Sequence, residues 1–453
     1  MQHITIFDFL LLPLYLYLFY ILVKRKALQL EDRDMMRIFL TAFFLRMLGS
    51  VAYSLMVQYY YGYGDSFTYY SGGNFIINQI LKDFGNIKYL WISPDDLQKA
   101  YSLEEGNIGG VNGYIGIASS VVIMKISAII AVVSFNKFLI TSLFFGLFSF
   151  AGQWRLFKVF NDINKDQNRN LMAWAVLYTP SIWFWGSGLM KEAICMGGLG
   201  FVVSILYKMF VKKKFSFKDL LVLVFFLYLI TVIKSYIIII FAVSLSTVIF
   251  FKLIDFFKNV VIKMVVVLGF LFFTLTVAFV TNFTEQLQTL VQESKEQVDT
   301  YQRNYEASNQ EDESSKAGVD AKEIDATLLS LLLHSPQAIF ACLYRPFIWE
   351  SRKVIILFTS LESMLLLFCT IFLLIKTRIF GFFKIVFNHE YVLFSLVISL
   401  LFALVIGFTT YNFGSIVRYK IMLLPFYYFM MVSIYTQLPP KMKPAAVSDP
   451  QPA

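Results

Sequence analysis

The residues of this sequence that could do chemistry stand at the edges of apolar runs. Asp65 lies in Tyr61-Gly-Tyr-Gly-Asp-Ser-Phe-Thr-Tyr-Tyr70, where glycines allow a turn and a carboxylate can serve as a general base. The same position also reads as an ordinary aspartate capping a helix that starts near Ser66. Lys191 and Glu192 follow Pro180-Ser-Ile-Trp-Phe-Trp-Gly-Ser-Gly-Leu-Met190, so an ion pair opens a helix after a glycine-rich break. Ionisable residues at such a boundary are functional candidates; the alternative is a snorkelling lysine beside a helix-starting glutamate. Lys234, in Val-Ile-Lys-Ser-Tyr, reads equally as an interfacial anchor or a ligand. Arg345 and Glu350 share the stretch Leu343-Tyr-Arg-Pro-Phe-Ile-Trp-Glu-Ser-Arg-Lys353, and Arg418 precedes Tyr419 and Lys420. Arginines of this kind suit an anionic ligand, above all a phosphate held by a planar fork of donors, although Arg345 can instead pair with Glu350. Glu362, one or two turns into its own helix, is placed to pair with Lys191 or Arg345.

The elements that must position these residues are membrane helices. Of 453 residues, 58% are hydrophobic and 15% charged, with a mean hydropathy of +0.66; soluble proteins average about 45–50% apolar and about 25% charged. The apolar residues come in blocks of the length that crosses a bilayer as helix. They do not alternate as barrel strands would. The expected fold is therefore an all-α polytopic integral membrane protein, a single transmembrane domain over 1–437 with a cytoplasmic tail, 438–453. Cys195, Cys342 and Cys369 show no paired spacing, so neither a disulfide framework nor a cysteine metal site is expected. With only His3, His334 and His389, and no HExxH, Walker loop or GxSxG, zinc chemistry, nucleotide hydrolysis and a serine triad are poor fits. The formal charge of +9 collects in short connections, as topology requires, and does not point to nucleic acid.

Charge assigns the sides. A first helix, 7–23, is followed by Lys24, Arg25, Lys26, Arg33 and Arg37, which places that connection in the cytoplasm and lets 38–57 exit outward. Residues 58–113 form a first extracytoplasmic loop and 282–351 a second, the latter with a mobile middle. Residues 114–134 read as re-entrant or interfacial. The remaining spans are expected at 138–157, 171–187, 193–209, 220–231, 237–251, 265–280, 354–375, 391–409 and 421–435, about eleven in all by the length rule. Lys191, Lys234, Arg345 and Arg418 then share the outer face with Asp65.

Three motifs make the chain resemble the GT-C superfamily of polytopic glycosyltransferases. They are Gly64-Asp65-Ser66 just after an outward helix, Pro180-Ser181 followed by the break and Lys191-Glu192, and Arg418-Tyr419-Lys420 with Leu424-Pro425. The likeness covers about residues 60–430. The sequence departs from the family where the helix 7–23 precedes the aspartate-bearing step and where Ser66 stands in place of a second acidic residue. The resemblance implies an inverting transfer of sugar from a polyprenyl-phosphate donor to a glycan, lipid or protein acceptor, in cell-envelope polysaccharide synthesis at the outer face of a bacterial inner membrane. Asp65 would be the catalytic base. Arg345, Arg418 and Lys191 would hold the lipid phosphate, with Glu192, Glu350, Glu362 and Lys234 in support. No cofactor is required, and a divalent metal near Asp65 is left open. Two rivals use the same loops: a polysaccharide repeat-unit polymerase or ligase, and a flippase or transporter for lipid-linked saccharide, in which Lys191, Glu192, Lys234 and Glu362 line a pathway.

Overall fold

The computed structural model describes residues 3–30, 32–105, 111–165, 167–256, 328–351, 354–410 and 413–438. It is helical, with no strand among the described residues. Six of the described helices are long and apolar enough to cross a membrane, or up to eight if each of two bent pairs is one span. A polytopic membrane protein is thus supported, and the expected count of about eleven is not confirmed. The expected span at 265–280, the mobile middle of the second loop and most of the tail lie outside the described residues. The chain divides into two compact units, residues 1–162 with 173–241 and residues 163–172 with 242–453, a division that falls inside what the sequence reads as one domain.

In unit 1, helix α1 (Ile6–Ala27) ends on Lys24, Arg25 and Lys26, cations that suit the negative end of a helix. Helix α2 (Arg33–Leu55) is capped by Asp32, whose side chain accepts from the backbone N–H groups of Asp34 and Met35. It runs on into a π-helical turn, Met56–Tyr61, that stops at Gly62 with φ +71°. Gly64, with φ +143°, then caps α3 (Asp65–Lys82). Both backbone conformations favour glycine, and together they turn the chain so that Asp65 opens α3.

The expected first loop is largely helical: α3 is followed by a 3-10 turn, Phe84–Leu90, then α4 (Pro94–Glu105) and α5 (Val111–Ile115). Helix α6 (Ala118–Ser134) packs along α3, because Gly72 and Gly73 leave no side chain between the backbones; a methyl on either would strike Met124 or Ser127. Helix α7 (Phe138–Ile163) leaves α6 at 111°, the geometry of a broken span or a re-entrant loop. The fully buried Asp8 of α1 accepts from the backbone N–H of Leu139 at 3.0 Å and so anchors the start of α7.

One expected span takes a different form. Residues 171–187 are not one helix. Helix α8 (Arg169–Ala173) passes into a π turn, Trp174–Tyr178, and Pro180 starts a short α9 (Pro180–Trp185), since proline has no N–H to continue the preceding ladder. After an interruption at 186–190 comes α10 (Lys191–Leu206), extended by a π turn, Tyr207–Val211. Helices α7 and α10 cross closely through Gly152, Gly197 and Gly200, where any methyl would meet the opposite backbone or Phe148. The expected spans 220–231 and 237–251 both fall in α11 (Phe217–Phe256), two helical runs that meet at a kink at Lys234, with φ −151° and ψ 85°.

Unit 2 contains α12 (Leu328–Tyr344), a 3-10 turn Ile348–Glu350, α13 (Val354–Asn388), α14 (Glu390–Thr409), α15 (Phe413–Tyr419) and α16 (Leu424–Thr436). The expected span 354–375 ends at a kink at Arg378 (φ +57°), after which a second helical run reaches Asn388. Helices α12 and α14 approach to backbone contact at Gly407, where a methyl would strike the Ala338 carbonyl. Helix α16 packs on α14 through Phe394 and Phe426, ring centroids 5.9 Å apart.

Candidate functional site

Four of the candidate residues gather in unit 1. Asp65 occupies the first turn of α3, with Gly64 as the cap residue, so Asp65 is not the N-cap that the alternative reading made it. Its Oδ1 accepts from the Tyr114 hydroxyl at 2.8 Å. The Tyr114 ring meets Tyr69 edge to face, 6.1 Å between centroids. Over the Tyr69 ring lies the Lys191 ammonium, 5.6 Å from the centroid, and that ammonium also donates to Ser119 Oγ at 2.8 Å. The next residue, Glu192, is 3% exposed at its side chain and accepts from Lys234 Nζ at 2.8 Å, the lysine itself being 12% exposed. Residues distant in sequence, on α3, α5, α6, α10 and α11, are thereby tied into one polar cluster.

Local backbone explains each placement. Asp65 is set by the positive-φ glycines before it. Lys191 and Glu192 are set by the interruption at 186–190, which ends on an extended Met190 (φ −148°, ψ 158°). Lys234 reaches Glu192 at the one residue where α11 leaves helical geometry. In α2, Tyr53 joins two of these pieces, for its hydroxyl meets Ser66 Oγ at 2.8 Å and donates to Met190 Sδ.

The arrangement has definite chemical consequences. The Tyr114 hydroxyl fixes the orientation of the Asp65 carboxylate through Oδ1, an arrangement in which the carboxylate can serve as a positioned proton acceptor. An ammonium over an aromatic ring is attracted by the ring's negative face, which holds Lys191 near the aspartate-bearing helix. A buried carboxylate such as Glu192 requires a partner, and Lys234 supplies it.

The cluster lies at one end of its helices. Helix α2 runs from the basic connection after α1 toward Asp65, and α10 runs from Lys191 toward Lys208 and Lys212, which pair with Asp219 and Asp162. Among the described residues, no three histidine, cysteine, aspartate or glutamate side chains gather as a metal site.

The other candidates belong to unit 2. Arg345 lies against Glu350, its Nε donating to the two carboxylate oxygens at 2.9 and 3.2 Å and its Nη2 to Oε1. The guanidinium also covers the Phe413 ring at 5.1 Å. Arg345 therefore shares its charge with Glu350, the outcome that the sequence offered as the alternative to a phosphate role. Arg418 folds onto its neighbour, with Nη2 donating to the Tyr419 hydroxyl at 2.8 Å. In unit 2 Glu362 shares a hydrogen bond with Tyr428 and interacts electrostatically with Lys420.

Sequence reading passed over several residues that the fold makes central. Tyr114, Tyr69 and Ser119 carry no local signal, being a hydroxyl and aromatics in a chain rich in both. Lys420 was noticed only as part of a motif, yet it is 1% exposed and donates to Ser363 Oγ at 2.6 Å and to the Arg345 carbonyl at 3.3 Å. Arg46 had the clearest signal, a lone arginine in the middle of an apolar block. No family model, curated protein or solved structure matches the chain, so the functional reading draws on this geometry and the resemblance in the three motifs.

Proposed function

We propose that the chain is a GT-C-like inverting glycosyltransferase that moves a sugar from a polyprenyl-phosphate donor to an acceptor at the extracytoplasmic face of a bacterial inner membrane. The observation that carries this reading is the cluster in unit 1, where a carboxylate oriented by Tyr114 and a lysine at a helix start are linked through Tyr69. Asp65 takes the proton of an acceptor hydroxyl as that oxygen attacks the anomeric carbon. The bond from that carbon to the lipid phosphate breaks in line, and polyprenyl phosphate leaves with the bonding electrons. Lys191 offsets the negative charge growing on the leaving oxygen, a stabilisation larger in the transition state than before it. Lys234 neutralises Glu192 and so leaves the Lys191 end of α10 cationic.

Replacing Asp65 with Asn tests the reading: purified protein in detergent, given a polyprenyl-phosphate sugar, should lose transfer while keeping its fold. A second reading is favoured by one feature. The interruptions at 186–190 and at Lys234 bring a buried ion pair to discontinuous helices, the construction by which transporters form midplane sites. As a flippase the protein would move lipid-linked saccharide between leaflets of a sealed vesicle and show no transfer in detergent.

A further inference from the structure

Arg46 stands inside α2, a helix long and apolar enough to cross a membrane, and is 1% exposed. Its Nη1 donates to Ser149 Oγ at 3.2 Å, to the Ile182 carbonyl at 3.1 Å and to the Gly186 carbonyl at 3.0 Å. All three acceptors are neutral, and two are carbonyls around the end of α9. A guanidinium is costly to place in hydrocarbon, so its retention calls for a task that an apolar residue could not perform.

The rest of that face of α2 shows the task. Gly49, Ser50 and Tyr53 follow at the spacing that keeps them on one side of a helix with Arg46. A methyl on Gly49 would strike the Trp183 carbonyl. Ser50 Oγ donates to the Ser187 carbonyl at 3.0 Å. The Tyr53 ring fills the space beside Gly188, where any methyl would strike it, and its hydroxyl meets Met190 and Ser66. Successive residues of α2 therefore hold successive residues of the interruption, up to the residue before Lys191.

We propose that Arg46 is a positioning residue: by holding the Ile182 and Gly186 carbonyls it locks the interrupted segment onto α2, and so sets Lys191 and Glu192 opposite Lys234 and the Asp65-bearing helix. The functional part of this inference rests on the reading of that cluster as the site. The lock itself does not, and can be tested without substrate.

Two native cysteines report on it. Cys195, four residues after Lys191 on α10, and Cys342, on α12 in the other unit, are both fully buried. In the full chain carrying Cys369→Ser, the rate at which each thiol is labelled in detergent measures local opening. Arg46→Met keeps the length of the stem but removes the donors. It should speed labelling of Cys195 about tenfold or more, as expected for the loss of charge-assisted hydrogen bonds, with Cys342 unchanged. Arg46→Lys, which restores donors, should recover most of the protection. Ser50→Ala, a milder change that introduces no buried charge defect, should move Cys195 in the same direction and serves if Arg46→Met does not accumulate. Equal acceleration of both thiols, or an unchanged Cys195, would overturn the lock. In the transfer assay Arg46→Met should lower kcat and displace the pH profile, with recovery in Arg46→Lys. A native chain that transfers no sugar removes the glycosyltransferase reading and leaves the thiol rates to judge Arg46, whereas active native chain with an unaltered profile in Arg46→Met refutes the positioning role.

Discussion

Glu192 and Lys234 are 42 positions apart in the chain and 3% and 12% exposed, whereas Arg345 and Glu350 are 5 apart and 25% and 17% exposed. The first pair exists only when α10 and α11 are both in place, each broken at the right residue. The second closes within one turn, and Glu350 also accepts from the Phe347 backbone N–H at 2.8 Å, so it shapes the turn after α12 whatever else it does. A long-range buried pair beside a helix interruption reports on the tertiary site; a short-range pair reports first on local backbone. On that ground the cluster in unit 1 carries more of the proposed chemistry than the arginines of unit 2, although the motifs gave both sets equal standing.

The largest expected difference between the two regions is in turnover. Asp65→Asn should reduce sugar transfer by about 10²–10⁴, the usual range for loss of a general base. Arg345→Ala should cost markedly less, because that guanidinium is already shared with Glu350. The check is single-turnover transfer from a polyprenyl-phosphate sugar in detergent. Comparable losses in both variants would erase the distinction between the regions, and full activity in Asp65→Asn would remove the base.

Stability should separate them next. Breaking a buried pair by removing one partner leaves an uncompensated charge and costs about 3–5 kcal/mol, while replacing both partners with apolar residues of similar size is often close to neutral. Lys234→Met should therefore destabilise the protein more than Lys234→Met with Glu192→Leu. Cutting the Arg345–Glu350 pair, whose side chains are more exposed than those of Lys234 and Glu192, should cost less than Lys234→Met. Thermal unfolding followed by helical circular dichroism compares the three variants. If the double replacement in unit 1 is no better than the single, Glu192 has another charged neighbour that matters more than Lys234.

What could be read in the sequence follows from the range of each interaction. Helix content and the membrane character were visible in apolar block length, and the turn before Asp65 in Gly62 and Gly64. The break before Lys191 was visible in Pro180 and the Gly186-Ser-Gly188 run. The short-range partner of Arg345, Glu350, was readable too, but the long-range partners were not, because Tyr114 to Asp65 and Lys234 to Glu192 are decided by which helix faces pack, and packing through Gly72, Gly73, Gly152 and Gly197 leaves no charge pattern behind. The count of about eleven spans is not confirmed by the six to eight found among the described residues. Lys234 and Arg378, charged residues that signal a connection to a reader of hydropathy, do stand where helical runs break at a kink. Ser66 gives a practical instance: adjacent to Asp65, it looks like a loop position for a surface probe, but it is buried against Tyr53, whereas Tyr63 is 76% exposed. An impermeant thiol reagent applied from outside intact cells should therefore label Tyr63→Cys readily and Ser66→Cys poorly. Labelling of Tyr63→Cys only after the membrane is opened would reverse the sidedness assigned to the cluster.

The smallest expected effect concerns acid. His3 packs tilted against Phe67 at 4.3 Å and meets Tyr70 edge-on at 5.8 Å between centroids, which ties His3 to α3 just beyond Asp65. Burial pushes its pKa below the ordinary histidine value, because the charged ring loses water without gaining an anion. The unfolded chain therefore takes up a proton at a pH where the folded chain does not, and stability falls as pH drops from about 6.5 through the lowered folded value. Above that window His3 is neutral in both states and contributes no pH dependence. His3→Phe keeps an aromatic ring against Phe67 and cannot protonate, so it should flatten this part of the acid sensitivity while leaving stability near about pH 7.5 little changed. Because His3 touches unit 1, the thiol that becomes reactive on acidification should be Cys195 before Cys342, and His3→Phe should narrow that gap. An acid response identical in the two thiols, or undiminished in His3→Phe, would assign the sensitivity to other groups.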